Sequence, residues 1–211
     1  FTPTSTNTYI VTGMDANGCS KTSQITITVI PLPIVNANTT AFHVCSGNAI
    51  TLTGSGSFSS GPPVYSWNNG VTNGVAFTPN ATNTYIVTGS DANGCSKTSS
   101  ILITVNPLPA VGATATPSAT ICTGTSVTLS GTGASSYIWN NGVTNGVSFT
   151  FTSTNTYVVT GTDANGCTNT SSIVITVNPL PIVTANAMPS SSICAGTSIT
   201  LYGTGASSYI W

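Results

Sequence analysis

Apolar and polar residues alternate with a period of two over short stretches, and each stretch ends in glycine, asparagine, proline or serine. In SVTLSG (126–131) Val127 and Leu129 fall on one face, as do Tyr137 and Trp139 in SYIW (136–139). TYVVTG (156–161) aligns Tyr157 with Val159, and SIVITV (172–177) aligns Ile173, Ile175 and Val177. Successive strand side chains point to opposite faces, so each stretch predicts a strand with one face in a core. Turn clusters such as NNGVTNG (140–146) separate them, and no segment carries a capped apolar stripe of helical period. The pattern predicts an all-β chain of antiparallel sandwiches.

The stretches repeat. Tyr9, Tyr85 and Tyr157 recur at 76 (85 − 9) and 72 (157 − 85) residues, and Trp67, Trp139 and Trp211 at 72 and 72. Cys45, Cys122 and Cys194 recur at 77 and 72. The longer first interval comes from GSGSFSSGPPVYSW (54–67) standing where GTGASSYIW stands at 131–139, which predicts a surface loop between two strands. Self-similarity at a fixed period means tandem modules. The expected division is the C-terminal half of a module at 1–30, whole modules at 34–106 and 110–178, and an N-terminal half at 182–211. Units of this size are close to the limit at which one core suffices, so neighbours and cysteines are expected to add stability. IPLP (30–33) and NPLP (106–109, 178–181) predict extended, semi-rigid connections and hence a rod. Strands of that kind give each module about 30–40 Å of length. The half-modules predict a window cut from a longer repetitive chain; the alternative is that halves of different chains complete one another.

Composition narrows the chemistry. Charged residues are 2% of 211: Asp15, Asp91 and Asp163 against Lys21 and Lys97, for a net charge of −1. That offers no electrostatic handle on nucleic acid or anionic lipid. With 39% hydrophobic residues the chain does not have the composition of a disordered segment. No apolar run approaches the roughly 18 residues of a membrane helix, and no leader-like segment is present, so no membrane insertion is expected. There is no glutamate and no cluster of histidine or arginine, and His43 stands alone. General-base and nucleophilic chemistry therefore lack their parts, and neither enzyme activity nor a cofactor is expected.

The acids recur within GMDANGC (13–19), GSDANGC (89–95) and GTDANGC (161–167). DANG opens like a calcium loop, but a hard cation wants about six to eight oxygens and each repeat offers one carboxylate. The expected role of Asp15, Asp91 and Asp163 is to begin a β-turn, with Asn-Gly as its left-handed residues. Lys21 and Lys97 follow across the same hairpin, where an exposed pair is worth about 0–1 kcal/mol. Asn169 takes that place in the third repeat, so the pair is not essential, and a lysine–asparagine isopeptide bond is not expected. Six cysteines, two per repeat, read as disulfides, with buried free thiols as the alternative. No CxxC spacing or second histidine supports a metal site.

ICTGTSVTL (121–129), SYIWNNG (136–142), TNTYVVTGTDANGC (154–167) and ITVNPLP (175–181) together resemble the Ig-like, PKD-like repeats of giant secreted surface proteins of Bacteroidota. Those include gliding-motility adhesins exported by the type IX system. The likeness spans essentially the whole chain. It implies tandem Ig-like sandwiches, an extracellular location, and a mechanical role as adhesin, stalk or filament rather than catalysis. Tyr9, Tyr85 and Tyr157 sit where an Ig-like fold often carries a tyrosine corner, and Trp67, Trp139 and Trp211 where its third strand crosses the core. Trp67, Trp139, Tyr85 and Tyr157 are expected to be packing residues.

On an Ig-like topology Cys122 precedes the second strand and Cys167 follows the turn between the last two. Those positions lie at opposite poles, beyond the about 4.4–6.8 Å Cα separation of a disulfide. The preferred pairing is therefore Cys45–Cys167 between neighbouring modules, with Cys19, Cys95, Cys122 and Cys194 pairing outside the fragment. The alternative is Cys45–Cys95 and Cys122–Cys167 within modules. Expected partners are neighbouring modules of the same chain. Edge strands without lysines point to lateral association into fibres, unless O-glycans shield the surface. The expected function is a stalk or filament segment; the alternative is a glycan- or surface-binding module using Thr/Asn faces and exposed aromatics.

Overall fold

The computed structural model describes residues 1–211, which form strands and no helix. The chain divides into two compact units, 1–107 and 108–211.

The first unit begins with a hairpin, β1 (Asn7–Met14) and β2 (Ser20–Ile27). β3 (Ile34–Thr39), β4 (His43–Cys45), β5 (Ile50–Ser57), β6 (Val64–Trp67), β7 (Ala76–Phe77), β8 (Asn83–Ser90) and β9 (Ser96–Asn106) follow. They form a three-stranded sheet, β3-β5-β7, and a four-stranded sheet, β4-β9-β8-β6. Every pairing is antiparallel except that of β4 with β9, where His43, Val44 and Cys45 oppose Thr104, Val105 and Asn106. Between the sheets lie Ile50, Leu52, Trp67, Tyr85, Val87, Ile101 and Ile103, with Val35 and Val44.

The second unit repeats this plan. β10 (Gly112–Thr116), β12 (Ser126–Thr132) and β14 (Ser148–Thr150) make one sheet. β11 (Thr120–Cys122), β16 (Thr168–Asn178), β15 (Asn155–Thr162) and β13 (Ser136–Trp139) make the other. Its core is Ile121, Val127, Leu129, Trp139, Val143, Phe151, Tyr157, Val159 and Ile175. A final pair, β17 (Thr184–Met188) and β18 (Thr200–Thr204), closes the chain.

The period-two pattern carries straight into these cores: Val127 is 1% and Leu129 0% exposed, while Thr128 between them is half-buried. Burying such side chains contributes about 1.5–3 kcal/mol each. A first strand split between two sheets, its second part parallel to the last strand, defines an Ig-like sandwich, here in tandem. SIVITV proves to be the C-terminal part of a longer strand, because β16 begins at Thr168 and pairs with β15 from Thr162↔Thr168 at the turn to Asn155↔Ile175.

A tyrosine hydroxyl also closes the turn before β13, a strand other than the one that carries a tyrosine corner. Tyr137 on β13 donates its hydroxyl to the Ala134 carbonyl (2.7 Å) and accepts from the Ala134 N–H (2.8 Å). Tyr157 instead packs its ring edge-on against Phe151 at 5.0 Å. Tyr85 does so against Phe77 at 5.4 Å.

Candidate functional site

No group of three or more His, Cys, Asp or Glu could hold a metal ion. The groups that carry chemistry are the cysteines. Cys45 ends β4 opposite Asn106, the last residue of β9, whereas Cys95 immediately precedes Ser96, the first. Eleven residues of strand separate the two positions, about 36 Å at a rise of ~3.3 Å per residue. Cys122 and Cys167 stand the same way around β16, with Cys122 opposite Asn178 and Cys167 just before Thr168. Cys45 and Cys167 are each disulfide-bonded, while Cys19, Cys95, Cys122 and Cys194 are free thiols. Neither intra-module pair, Cys45–Cys95 or Cys122–Cys167, is formed. The strand geometry within each sandwich gives the reason.

The cysteine of each DANGC phrase is positioned by its aspartate. Asp163 Oδ1 accepts the N–H groups of Asn165 and Cys167, each at 2.8 Å. The Asp163 N–H donates to the Cys167 carbonyl (2.9 Å), and Gly166 N–H to the Asp163 carbonyl (3.2 Å). Asp91 and Asp15 make the same bonds at 2.9 Å. The carboxylate thus takes the N–H that a plain hairpin would give to a carbonyl, which is the mechanism of an Asx-turn. Only the glycine of Asn-Gly is left-handed, with Gly94 at φ 80° and Gly166 at φ 80°. Lys21 and Lys97 lie opposite Gly13 and Gly89, not opposite the aspartates. Asn169 reaches the Pro109 carbonyl (3.0 Å), tying β16 to the segment before β10.

Exposure of this turn differs between repeats. Asp15 is exposed and Asp163 half-buried, but Asp91 is 7% exposed and its Oδ2 has no hydrogen-bond partner. The inserted loop is the cause: Ser60 accepts the Ala92 N–H at 3.1 Å, laying residues 59–61 over the turn.

Trp67 and Trp139 lie inside the sandwiches at 8% and 6% exposure, and Tyr85 and Tyr157 at 5% and 6%. Their supporting asparagines were not singled out from the sequence. Asn145 Oδ1 accepts from the Trp139 indole N–H (3.0 Å) and the Gly131 N–H (2.7 Å), and Asn73 does the same for Trp67 and Gly54. Recurrence of NNGVTNG was the available signal. His43 is exposed on β4. Trp211, 65% exposed, belongs to the terminal piece.

No helix is long and apolar enough to cross a membrane. No family model matches the chain, and no curated protein matches it. Solved structures similar to it include the N-terminal eight Ig domains of Down Syndrome Cell Adhesion Molecule isoform 1.30.30. That likeness has 12% identity and a TM-score of 0.44, over 82% of this chain and 28% of that one. A Ca2+-stabilized adhesin that helps an Antarctic bacterium reach out and bind ice matches at 19% identity and TM-score 0.37, over 88% and 60%. Protocadherin gamma B7 extracellular cadherin domains 1–4 match at 11% and 0.25, over 82% and 58%. The chain therefore spans less than two thirds of each of these structures.

Proposed function

We propose that the chain is an extracellular stalk or filament segment of a repetitive cell-surface adhesin of the Bacteroidota type, built from Ig-like modules at 34–106 and 110–178. Half-modules occupy 1–30 and 182–211. A disulfide between Cys45 and Cys167 staples one module to the next, and the Pro-Leu-Pro segments set the connection. The observation that carries this reading is the placement of the two cysteines of each sandwich at opposite ends of its last strand. No bond can close within a module, so the sulfurs serve continuity along the chain. Disulfide-bonded Cys45 and Cys167 support it, and an extracellular location is one in which such bonds persist.

The aromatics favour a spacer over a glycan platform, because the tryptophans and tyrosines of both complete cores are buried. Neighbouring modules are the first partners; lateral association follows from the neutral, lysine-free edge strands.

A peptide map of the unreduced 211-residue chain tests the staple. A Cys45–Cys167 cross-linked peptide is expected, and a Cys45–Cys95 peptide would overturn it. Binding of the same chain to a glycan array would move the assignment to the adhesive alternative.

A further inference from the structure

Seven Asn-Gly steps punctuate the chain, at Asn17, Asn69, Asn73, Asn93, Asn141, Asn145 and Asn165. Glycine has no Cβ to shield its backbone nitrogen, so in such a step that nitrogen can reach the Cγ of the asparagine before it. The fold treats the seven unequally.

Five are held. Gly74 N–H donates to the Leu52 carbonyl and Gly146 N–H to the Leu129 carbonyl, each at 2.9 Å. Their asparagines are fixed as well, since Asn73 Oδ1 and Asn145 Oδ1 each accept from an indole and from a glycine N–H. In the DANG turns, Gly18, Gly94 and Gly166 donate to the carbonyls of Asp15, Asp91 and Asp163 at 3.1, 3.1 and 3.2 Å.

Asn69 and Asn141 differ. Both are exposed, and both have a φ of 55°. The N–H groups of Gly70 and Gly142 bond to no protein atom, and neither asparagine side chain has a partner. Each turn closes on one long contact of 3.4 Å, from Val71 N–H to the Asn68 carbonyl and from Val143 N–H to the Asn140 carbonyl. With Gly70 at φ 70° and Gly142 at φ 71°, both central residues are left-handed, the type I′ geometry that favours Asn-Gly. The residues that suit the turn are therefore also the reactive pair.

We infer that Asn69 and Asn141 are sites of spontaneous deamidation, one in each complete module, and that each reaction adds a carboxylate to a nearly neutral chain. The Gly70 nitrogen, giving up its proton to hydroxide, attacks Asn69 Cγ, and the new C–N bond closes a succinimide ring. The bond from Cγ to the side-chain nitrogen breaks, and that nitrogen takes up a proton and leaves as ammonia. One water then opens the ring. Attack at the former side-chain carbonyl gives aspartate, and attack at the backbone carbonyl gives isoaspartate. Water is the only co-reactant, and nothing is oxidised or reduced. Gly142 and Asn141 react in the same way.

The sandwich survives the change. Asn68 Oδ1 accepts the Ile86 N–H and Asn140 Oδ1 the Val158 N–H, both at 2.9 Å. Each turn thus stays pinned to β8 or β15 while its exposed tip alters. The charge has a wider effect. One event at each site takes the net charge from −1 to −3, at equivalent points 72 residues apart (141 − 69). This part rests on the lateral association proposed above: like charges at matching points on neighbouring chains repel. Aged chains therefore associate less than fresh ones, and added salt screens the difference.

The test follows the whole, folded chain in mildly alkaline buffer by peptide mapping over time, with isoaspartate read by enzymatic methylation. Each hydrogen bond that must break slows ring closure about fivefold, so Asn69 and Asn141 should lead the DANG sites by about that factor and lead Asn73 and Asn145, held by three bonds, on the order of a hundredfold. In urea the seven rates should converge. Equal rates in the folded chain, or conversion at Asn73 or Asn165 ahead of Asn69 and Asn141, would overturn the assignment. A double variant, Asn69→Asp with Asn141→Asp, should keep the wild-type melting midpoint and scatter less light at low salt. Converted sites without a change in scattering would remove the effect on association and leave the modification. Weaker scattering of the double variant with no selective conversion in wild type would remove the modification and leave the lateral reading.

Discussion

The sandwiches β3–β9 and β10–β16 share one topology and one register, yet they close the same corner with different chemistry. In the second, a three-residue link lets the Tyr137 hydroxyl grip both polar groups of Ala134. In the first, the inserted loop brings Phe58 against the Tyr65 ring at 5.7 Å, and Ser60 takes the Ala92 N–H. Around the opposite corner, Phe151, 1% exposed, touches both Phe149 (5.1 Å) and Tyr157 (5.0 Å), where the first sandwich has a buried Pro79. The cores are thus fixed by the strands, while the rims vary freely. Variation at the first rim carries a cost, because the loop that replaces the tyrosine bond also buries an unpartnered carboxylate oxygen on Asp91.

The largest expected asymmetry is at Phe151. Phe151→Ala should destabilise the second sandwich by about 3–5 kcal/mol, and Pro79→Ala the first by no more than about 1 kcal/mol. Equilibrium urea unfolding of each variant checks this, and equal losses would break the distinction. Next comes the corner: Tyr137→Phe removes two hydrogen bonds and should cost about 1–2 kcal/mol, while Tyr65→Phe should change the unfolding midpoint little. The smallest effect concerns the turns. Asn in place of Asp keeps the Oδ1 acceptor and removes the charge. Asp91→Asn should therefore raise stability by up to about 1 kcal/mol, since a buried amide is less costly than a buried carboxylate. Asp163→Asn, half-buried, should stay near neutral. Equal changes at 91 and 163 would show that the insertion does not desolvate the turn.

Much of this was legible in the sequence. Val127 with Leu129 and Tyr157 with Val159 announced their strands because period two is set by backbone geometry. The cysteine arrangement followed once an Ig-like strand order was assumed, since topology decides which chain positions share a pole. Contacts made by side chains across loops were not legible. Asn73 and Asn145 look like ordinary turn residues, and nothing local says that their amide oxygens meet an indole. The hydroxyl bond of Tyr137 to Ala134 was not legible either, because the aromatic in TYVVTG and the one in SYIW give the same alternating signal. Burial of Asp91 depends on Ser60, which sits in a loop whose path has no sequence period at all.

One consequence of the short β4–β9 and β11–β16 ladders concerns pulling. In each sandwich the first and last strands run parallel, so tension applied through the two ends of a module slides β4 along β9 instead of peeling it away. The bonds joining His43–Cys45 to Thr104–Asn106 then share the load and must fail together, whereas a hairpin such as β1–β2 opens one rung at a time. Each module is therefore stiff along the direction of the chain and soft across it, a directional strength set by three residues in each first strand.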